Sequence, residues 1–390
     1  MTALPARTSL LRLAVLWLAG ADLRLTMLAV PPELPLIHRD LGLSEKAIGL
    51  VSGLPILLLA LAAIPGSLLI ARIGARRAAI AGLVFVALTA AARGAGPSWP
   101  MLLVMTVLMG GGIAVIQPAL PTLVAEWFVA IPSLATAVYA NGLLVGEAVP
   151  AALTLPFVLP LVGGSWPASF AAWSAPLLAT ALLMALATPH RAPLPAHAPT
   201  RWGPDWKSPL VWQLGVLMGG TGGLYFSANA FIPDYLHAVG RPDLVAACLS
   251  ALNSAQLPAS VLMLFLSRRL GRSRVPFVAM PLLAVVGIAG LLAPADWLIV
   301  LGAGTMGFFG AFVLILTLAL PPQLAALRDV HRLSAGMFAV GYGLTCTIPL
   351  IGGAVWDATG IPASAFAAGA LSSIAVAGVA LTLPRRPSGR

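Results

Sequence analysis

The sequence predicts an all-α membrane protein: twelve transmembrane helices in two pseudo-symmetric six-helix bundles. Three observations predict it. Of 390 residues, 59% are hydrophobic and only 9% charged, too little polar surface to coat a soluble globule of this size. The apolar residues come in runs long enough to cross about 30 Å of hydrocarbon, unlike the roughly ten-residue alternation of an outer-membrane barrel. Finally, short sequence features recur about 200 residues apart, as a duplicated half would make them.

Taken in order, the spans fall at 9–31, 46–70, 77–94, 100–124, 134–160, 167–187, 209–235, 243–267, 275–293, 296–319, 332–355 and 362–384. The first run is followed closely by others and carries no small-residue cleavage site, so it reads as a span and not as a removable leader. Proline-rich residues 188–208 read as a linker, leaving an N-terminal bundle at 1–187 and a C-terminal bundle at 209–390. An even number of spans puts both ends on one side. Assigning that side to the cytoplasm collects seventeen Lys and Arg residues there (Arg7, Arg12, Arg72, Arg76, Arg77, Arg191, Arg201, Lys207, Arg268, Arg269, Arg272, Arg274, Arg328, Arg332, Arg385, Arg386 and Arg390) and leaves four outside (Arg39, Lys46, Arg93 and Arg241). This bias assigns both termini to the cytoplasm, and the expected location is the cell's inner membrane. It also accounts for the formal net charge of +10 without nucleic acid as a partner. Cys248 and Cys346 lie in apolar runs without metal-type spacing and read as packing residues.

Four sets of residues match between the halves at offsets of 197 to 201. Arg72, Gly74 and Arg76 after span 2 are echoed by Arg269, Gly271 and Arg274 after span 8. Ala119-Leu120-Pro121 matches Ala319-Leu320-Pro321, and Tyr139, Gly142 and Pro150 match Phe338, Gly341 and Pro349. Leu23, Pro32 and Glu33 match Leu224, Pro233 and Asp234, which sets Tyr225 opposite Arg24 in the pseudo-symmetric arrangement.

Two parallel six-span halves with basic loops after spans 2 and 8 resemble the major facilitator superfamily over the whole chain. Ser67, Arg72, Gly74 and Arg76 fit that superfamily's loop signature, although Ala71 stands where an aspartate is usual. Asp22-Leu23-Arg24-Leu25 with Leu34-Pro35, and Tyr225 through Pro233 in span 7, resemble the patterns of the cyanate and nitroimidazole transporter family. Here Asp22 replaces the usual asparagine and Leu25 the usual proline, so a changed substrate is compatible with the match. The resemblance implies a monomeric secondary transporter working by alternating access, with Arg72, Gly74, Arg76, Arg269 and Gly271 in cytoplasmic gate loops.

The intramembrane charges carry the functional expectation. A guanidinium near the middle of a membrane helix costs about 2.5–3.5 kcal/mol on insertion scales, so Arg24 is expected to face protein or an aqueous cavity. It is either an architectural arginine or the contact for a small anionic or dipolar solute, whose flat oxygens suit its fork of donors. Glu147, in the middle of span 5, is either a fixed partner of Arg24 or a proton-exchanging carboxylate. Asp22 lies two residues from Arg24 and therefore on another face of the helix; an interhelical hydrogen bond and a proton site are both open. Tyr225, Asn229, Asn253, Gln256, Tyr139, Asn141, Gln117 and Tyr342 are candidate lining residues, against the alternative that single polar residues glue helices together. Glu33, Asp234, Asp296 and Asp357 sit near outer ends and are expected to be solvated. Glycine clusters such as Gly110-Gly111-Gly112 lack the Lys-Ser/Thr of a phosphate loop and suit close helix packing. No hydrolase, zinc or Walker motif occurs in the sequence, so no enzyme chemistry, metal, cofactor or direct ATP drive is expected. A broad exporter of apolar drugs and a non-transporting receptor are the competing functions.

Overall fold

The computed structural model describes residues 6–43, 45–96, 98–188, 202–271 and 273–384. Most of the predicted linker, 189–201, lies outside them, as do Arg191, Arg201, Arg272, Arg385, Arg386, Arg390 and the side chains of Arg7 and Lys46. The described residues are helical, without a strand, and divide into two compact units.

The first unit comprises Met1–Ala130, Val138–Pro204 and Ala326–Ala335. Its helices are α1 (Ala6–Leu28, continued as Val30–Leu41), α2 (Glu45–Ile73), α3 (Ala75–Ala92), α4 (Trp99–Trp127), α5 (Pro132–Leu153, running on through a π-helical turn) and α6 (Trp166–Ala187). Helix α1 breaks at Ala29 because Pro31 and Pro32 have no N–H to give the carbonyls of Met27 and Leu28. Both prolines are well placed in the first turn of the next segment, where no intrahelical donor is required. Helices α2 and α3 are separated only by Gly74, whose φ of +85° is open to glycine and strained for other residues. The π-helical turn Thr154–Val158 contains Pro156, and Thr154 accepts a hydrogen bond from the indole of Trp173 on α6 at 3.1 Å.

The second unit comprises Ile131–Ala137, Asp205–Ala325 and Gly336–Arg390. It contains α7 (Pro209–Ala238), α8 (Val245–Ser254 and Gln256–Leu270), α9 (Val275–Leu291), α10 (Asp296–Leu318), α11 (Val330–Thr359) and α12 (Ala367–Thr382). The interruption of α8 follows from Pro258, which cannot donate to the carbonyl of Ser254. Thus the short first turns of α5 and of α11 each belong to the unit that does not hold the rest of the helix.

Among the described residues, ten helical stretches are long and apolar enough to cross a membrane, and Val275–Leu291 is a shorter apolar helix. The remaining one, α7, has 30 residues but is diluted by Gly219, Gly220, Gly222 and Gly223. Leu61, Leu88, Leu182, Phe265, Leu350 and Leu371 are all more than half exposed, as lipid-facing side chains are.

Close helix approaches recur in both units. In the first, Gly20 of α1 lies against the backbone of Tyr139, Gly142 of α5 against the carbonyl of Trp17, and Gly146 against that of Ala21. In the second, Gly219 of α7 meets the backbone of Gly341 on α11, while Gly341 meets Met218. The α1–α5 and α7–α11 contacts are therefore equivalent, at the very glycines, Gly142 and Gly341, that the sequence matches.

Candidate functional site

In the first unit the contact of α1 with α5 brings Arg24 to Glu147. The Arg24 Nε lies 3.1 Å from Glu147 Oε1, and the two side chains are 12% and 26% exposed. This contact is an ion pair at close range. One turn on, Arg24 Nη1 is 4.0 Å from the Met27 sulfur, just before the break in α1. Glycine at 146, next to Glu147, is what allows the helices close enough for the pair to form.

Asp22 turns away from this pair. It is 2% exposed and hydrogen-bonds Thr180 of α6, with its Oδ2 buried and unpartnered. Asn141 accepts from the indole of Trp17 at 2.8 Å, again across α1 and α5. Gln117 and Tyr139 are buried among the helices of this unit.

In the second unit, Tyr225, Asn229 and Asn253 form one network between α7 and α8. The Tyr225 hydroxyl donates to Asn253 Oδ1 at 2.5 Å, and Asn253 Nδ2 donates to Asn229 Oδ1 at 3.0 Å. Asn229 and Asn253 each also donate back to the carbonyl four residues earlier, at 3.0 and 2.8 Å, which fixes their rotamers. Asn253 is exposed and Tyr225 half-buried, whereas Gln256 is buried a turn away. Tyr342 stacks on Phe338 with ring centroids 6.1 Å apart.

Among the loop residues, Arg72 and Arg269 are exposed. Arg76 instead clasps the end of α6, donating to the Ala185 carbonyl at 2.6 Å, to Thr188 Oγ1 at 2.8 Å and to the Met184 carbonyl at 3.3 Å. Gly271 has an ordinary helical φ of −63°, unlike its match Gly74.

One expectation is overturned. Glu33 is fully buried, not solvated, and Arg93, counted as an outer-loop residue, is also fully buried. The cause is the break in α1. The Arg93 guanidinium, at the end of α3, donates to the Thr26 carbonyl at 2.9 Å and lies 4.2 Å over the Phe170 ring. Glu33 on the outer segment of α1 sits in the same pocket, near Ser169 and within the field of Arg93. Asp234, Asp296 and Asp357 are exposed, as expected, and Asp296 pairs with Arg241. Trp17, Thr180, Arg93 and His331 were missed. The Pro31-Pro32 pair was a readable sign of the break, but nothing local marked its partners.

Two six-helix sets with equivalent packing, each holding a polar cluster inside apolar spans, define the architecture of a secondary transporter. The chain belongs to the Major Facilitator Superfamily, whose family model matches residues 14–326. It is therefore a multi-pass membrane protein that takes small-molecule substrates, of a family that transports and does not catalyse. It is 27% identical over 355 residues to the cyanate transport protein CynX of Escherichia coli (strain K12), covering 89% of this chain and 90% of that protein. It is likewise 27% identical over 368 residues to the 2-nitroimidazole transporter of the same organism, covering 92% and 91%. Among solved structures it superposes on the transporter FucP in the outward conformation with a TM-score of 0.79 at 15% identity, over 96% of this chain and 99% of that one. That likeness establishes the twelve-helix fold.

Proposed function

We propose that this protein is a secondary active transporter of a small anionic or strongly dipolar solute, in the class of cyanate, carboxylates or nitro compounds, working by alternating access. The observation that carries the proposal is the partly exposed Arg24–Glu147 ion pair. A buried arginine must keep an anionic partner, and an oxygen-bearing solute can take the place of a carboxylate that is itself 26% exposed. Tyr225, Asn229 and Asn253 supply hydrogen bonds to the solute, with Tyr139, Asn141, Gln117, Gln256 and Tyr342 shaping its surroundings.

Protons drive the cycle through Glu147, which binds one when the solute displaces it from Arg24; Asp22 is the second proton site. The loops with Arg72, Gly74, Arg76, Arg269 and Gly271 lie on the cytoplasmic side of the inner membrane, and the protein acts as a monomer. The names of the two relatives support the substrate class, and the basic bias of the loops supports the orientation.

The test is uptake of radiolabelled cyanate and 2-nitroimidazole into proteoliposomes at two pH values. Losing a charge-assisted contact costs about 1.5–3 kcal/mol, so Arg24→Ala should insert normally and raise KM by roughly tenfold or more. Transport with an unchanged KM in that variant would remove Arg24 from the site.

A further inference from the structure

The first unit includes a segment from far along the chain, Ala326–Ala335, and the way it is fastened goes beyond the substrate pair. His331, in the first turn of α11, reaches Ser67 of α2: Nδ1 and Oγ are 2.7 Å apart. Ser67 Oγ in turn donates to the Trp202 carbonyl at 2.6 Å. A serine hydroxyl has one hydrogen. Since it goes to Trp202, the hydrogen in the His331 contact must come from the imidazole, which fixes the tautomer with the proton on Nδ1. The chain of donation runs from His331 through Ser67 to the backbone.

The next residue repeats the grip. Arg332 Nε donates to the Gly203 carbonyl at 2.8 Å, while Arg332 Nη1 holds Asp329 at 2.7 Å. Two successive carbonyls at the far end of the linker are thus held, that of Trp202 by Ser67 of α2, which His331 engages, and that of Gly203 directly by Arg332 of α11. Ser67 is fully buried and His331 is 7% exposed. Within the loop signature Ala71 has no polar group and Arg72 is exposed, whereas Ser67, one turn before Ala71, makes a long-range contact. Helix α11 is continuous from Val330 to Thr359, yet its first turns belong to one compact unit and everything from Gly336 to the other. A helix with ends in two units is released from one of them only if its fastening there can be undone. Neutral hydrogen bonds are suited to that, since each has a net worth of about 0.5–1.5 kcal/mol.

We propose that His331 is a positioning residue of the transport cycle: with Ser67 it latches the start of α11 to α2 and the linker, and the latch opens and re-forms once per cycle. This rests on the alternating-access reading but not on the identity of the solute.

The test uses the full chain in proteoliposomes, with Cys248 and Cys346 replaced by serine. In Ser67→Cys/His331→Cys, a short bis-methanethiosulfonate cross-linker should lower uptake of radiolabelled cyanate or 2-nitroimidazole by about tenfold or more, and dithiothreitol should restore it. Undiminished uptake by fully cross-linked protein would overturn the proposal. A second arm needs no substrate. In an Asn253→Cys background, His331→Ala should change the rate at which an impermeant maleimide, added on the linker side, labels the new cysteine. His331→Gln, which keeps an N–H donor, should leave that rate near the parent value. Equal rates in all three proteins would also overturn the latch. If labelling responds while neither probe is carried, the latch stands and the proposed substrate class fails.

Discussion

At the scale of single residues, the argument turns on what Glu147 does for Arg24. A fixed structural pair and a displaceable one differ in what happens when the carboxylate is neutralised. If Glu147 only balances charge, Glu147→Gln leaves a buried guanidinium without its counter-charge and destabilises the protein, since breaking one side of a buried pair costs about 3–5 kcal/mol. The 26% exposure of the Glu147 side chain argues for a smaller cost. Under the proposed role, Glu147→Gln should stay folded and still exchange labelled for unlabelled solute, while uptake driven by a proton gradient is lost. Counterflow and gradient-driven uptake, measured on one preparation, separate the two outcomes. Arg24 and Glu147 were both legible in the sequence because a charge in a long apolar run has few innocent explanations. Glu33 and Arg93 were not. Each lies near the end of its run, where a charge ordinarily meets water, and only the folded break of α1 turns them inward.

At the scale of elements, the pair exists because α1 and α5 touch backbone to backbone. Gly142 and Gly146 are four residues apart on one face of α5, the spacing by which small residues let membrane helices approach closely. A methyl group at Gly146 would collide with the Ala21 carbonyl oxygen, which belongs to a helix and has no rotamer to escape into. Gly146→Ala should therefore push α1 away from α5 beside the Arg24–Glu147 contact. Overpacking of this kind costs about 1–3 kcal/mol. The expected result is a lower melting temperature together with weaker solute binding. A control at Gly111, where an added methyl meets nothing within 4 Å, should leave both unchanged. Equal effects at the two positions would show that the α1–α5 contact has no special bearing on the site. The repeat match at Gly142 and Gly341 marked equivalent positions in the two halves, but not the helix that each would meet. The partner of a small residue depends on tertiary packing and leaves no mark in the spacing.

For the molecule as a whole, the order of helices and the repeat were readable because hydrocarbon thickness and duplication both act on long stretches of sequence. The ends of helices were less so. The basic loop residues were grouped as gates, yet Arg76 holds the last carbonyls of α6, and its counterpart Arg274 holds those of Leu381 and Leu383 at the end of α12. In each six-helix set, then, an arginine at the start of the third helix caps the end of the sixth. The last carbonyls of a helix have no intrahelical donor, and a cation there also meets the negative end of the helix dipole. If this capping is what the repeated arginine does, its loss should be felt locally and twice over. Arg76→Gln should speed hydrogen exchange in residues 181–188 and leave 376–383 unchanged, and Arg274→Gln should do the reverse. Exchange should rise by about tenfold for each 1.4 kcal/mol of local stability lost. Transport in either variant should fall only as far as the folded fraction falls. A variant that kept its helix end protected and yet stopped transporting would show that its arginine serves the transport cycle in some way other than capping.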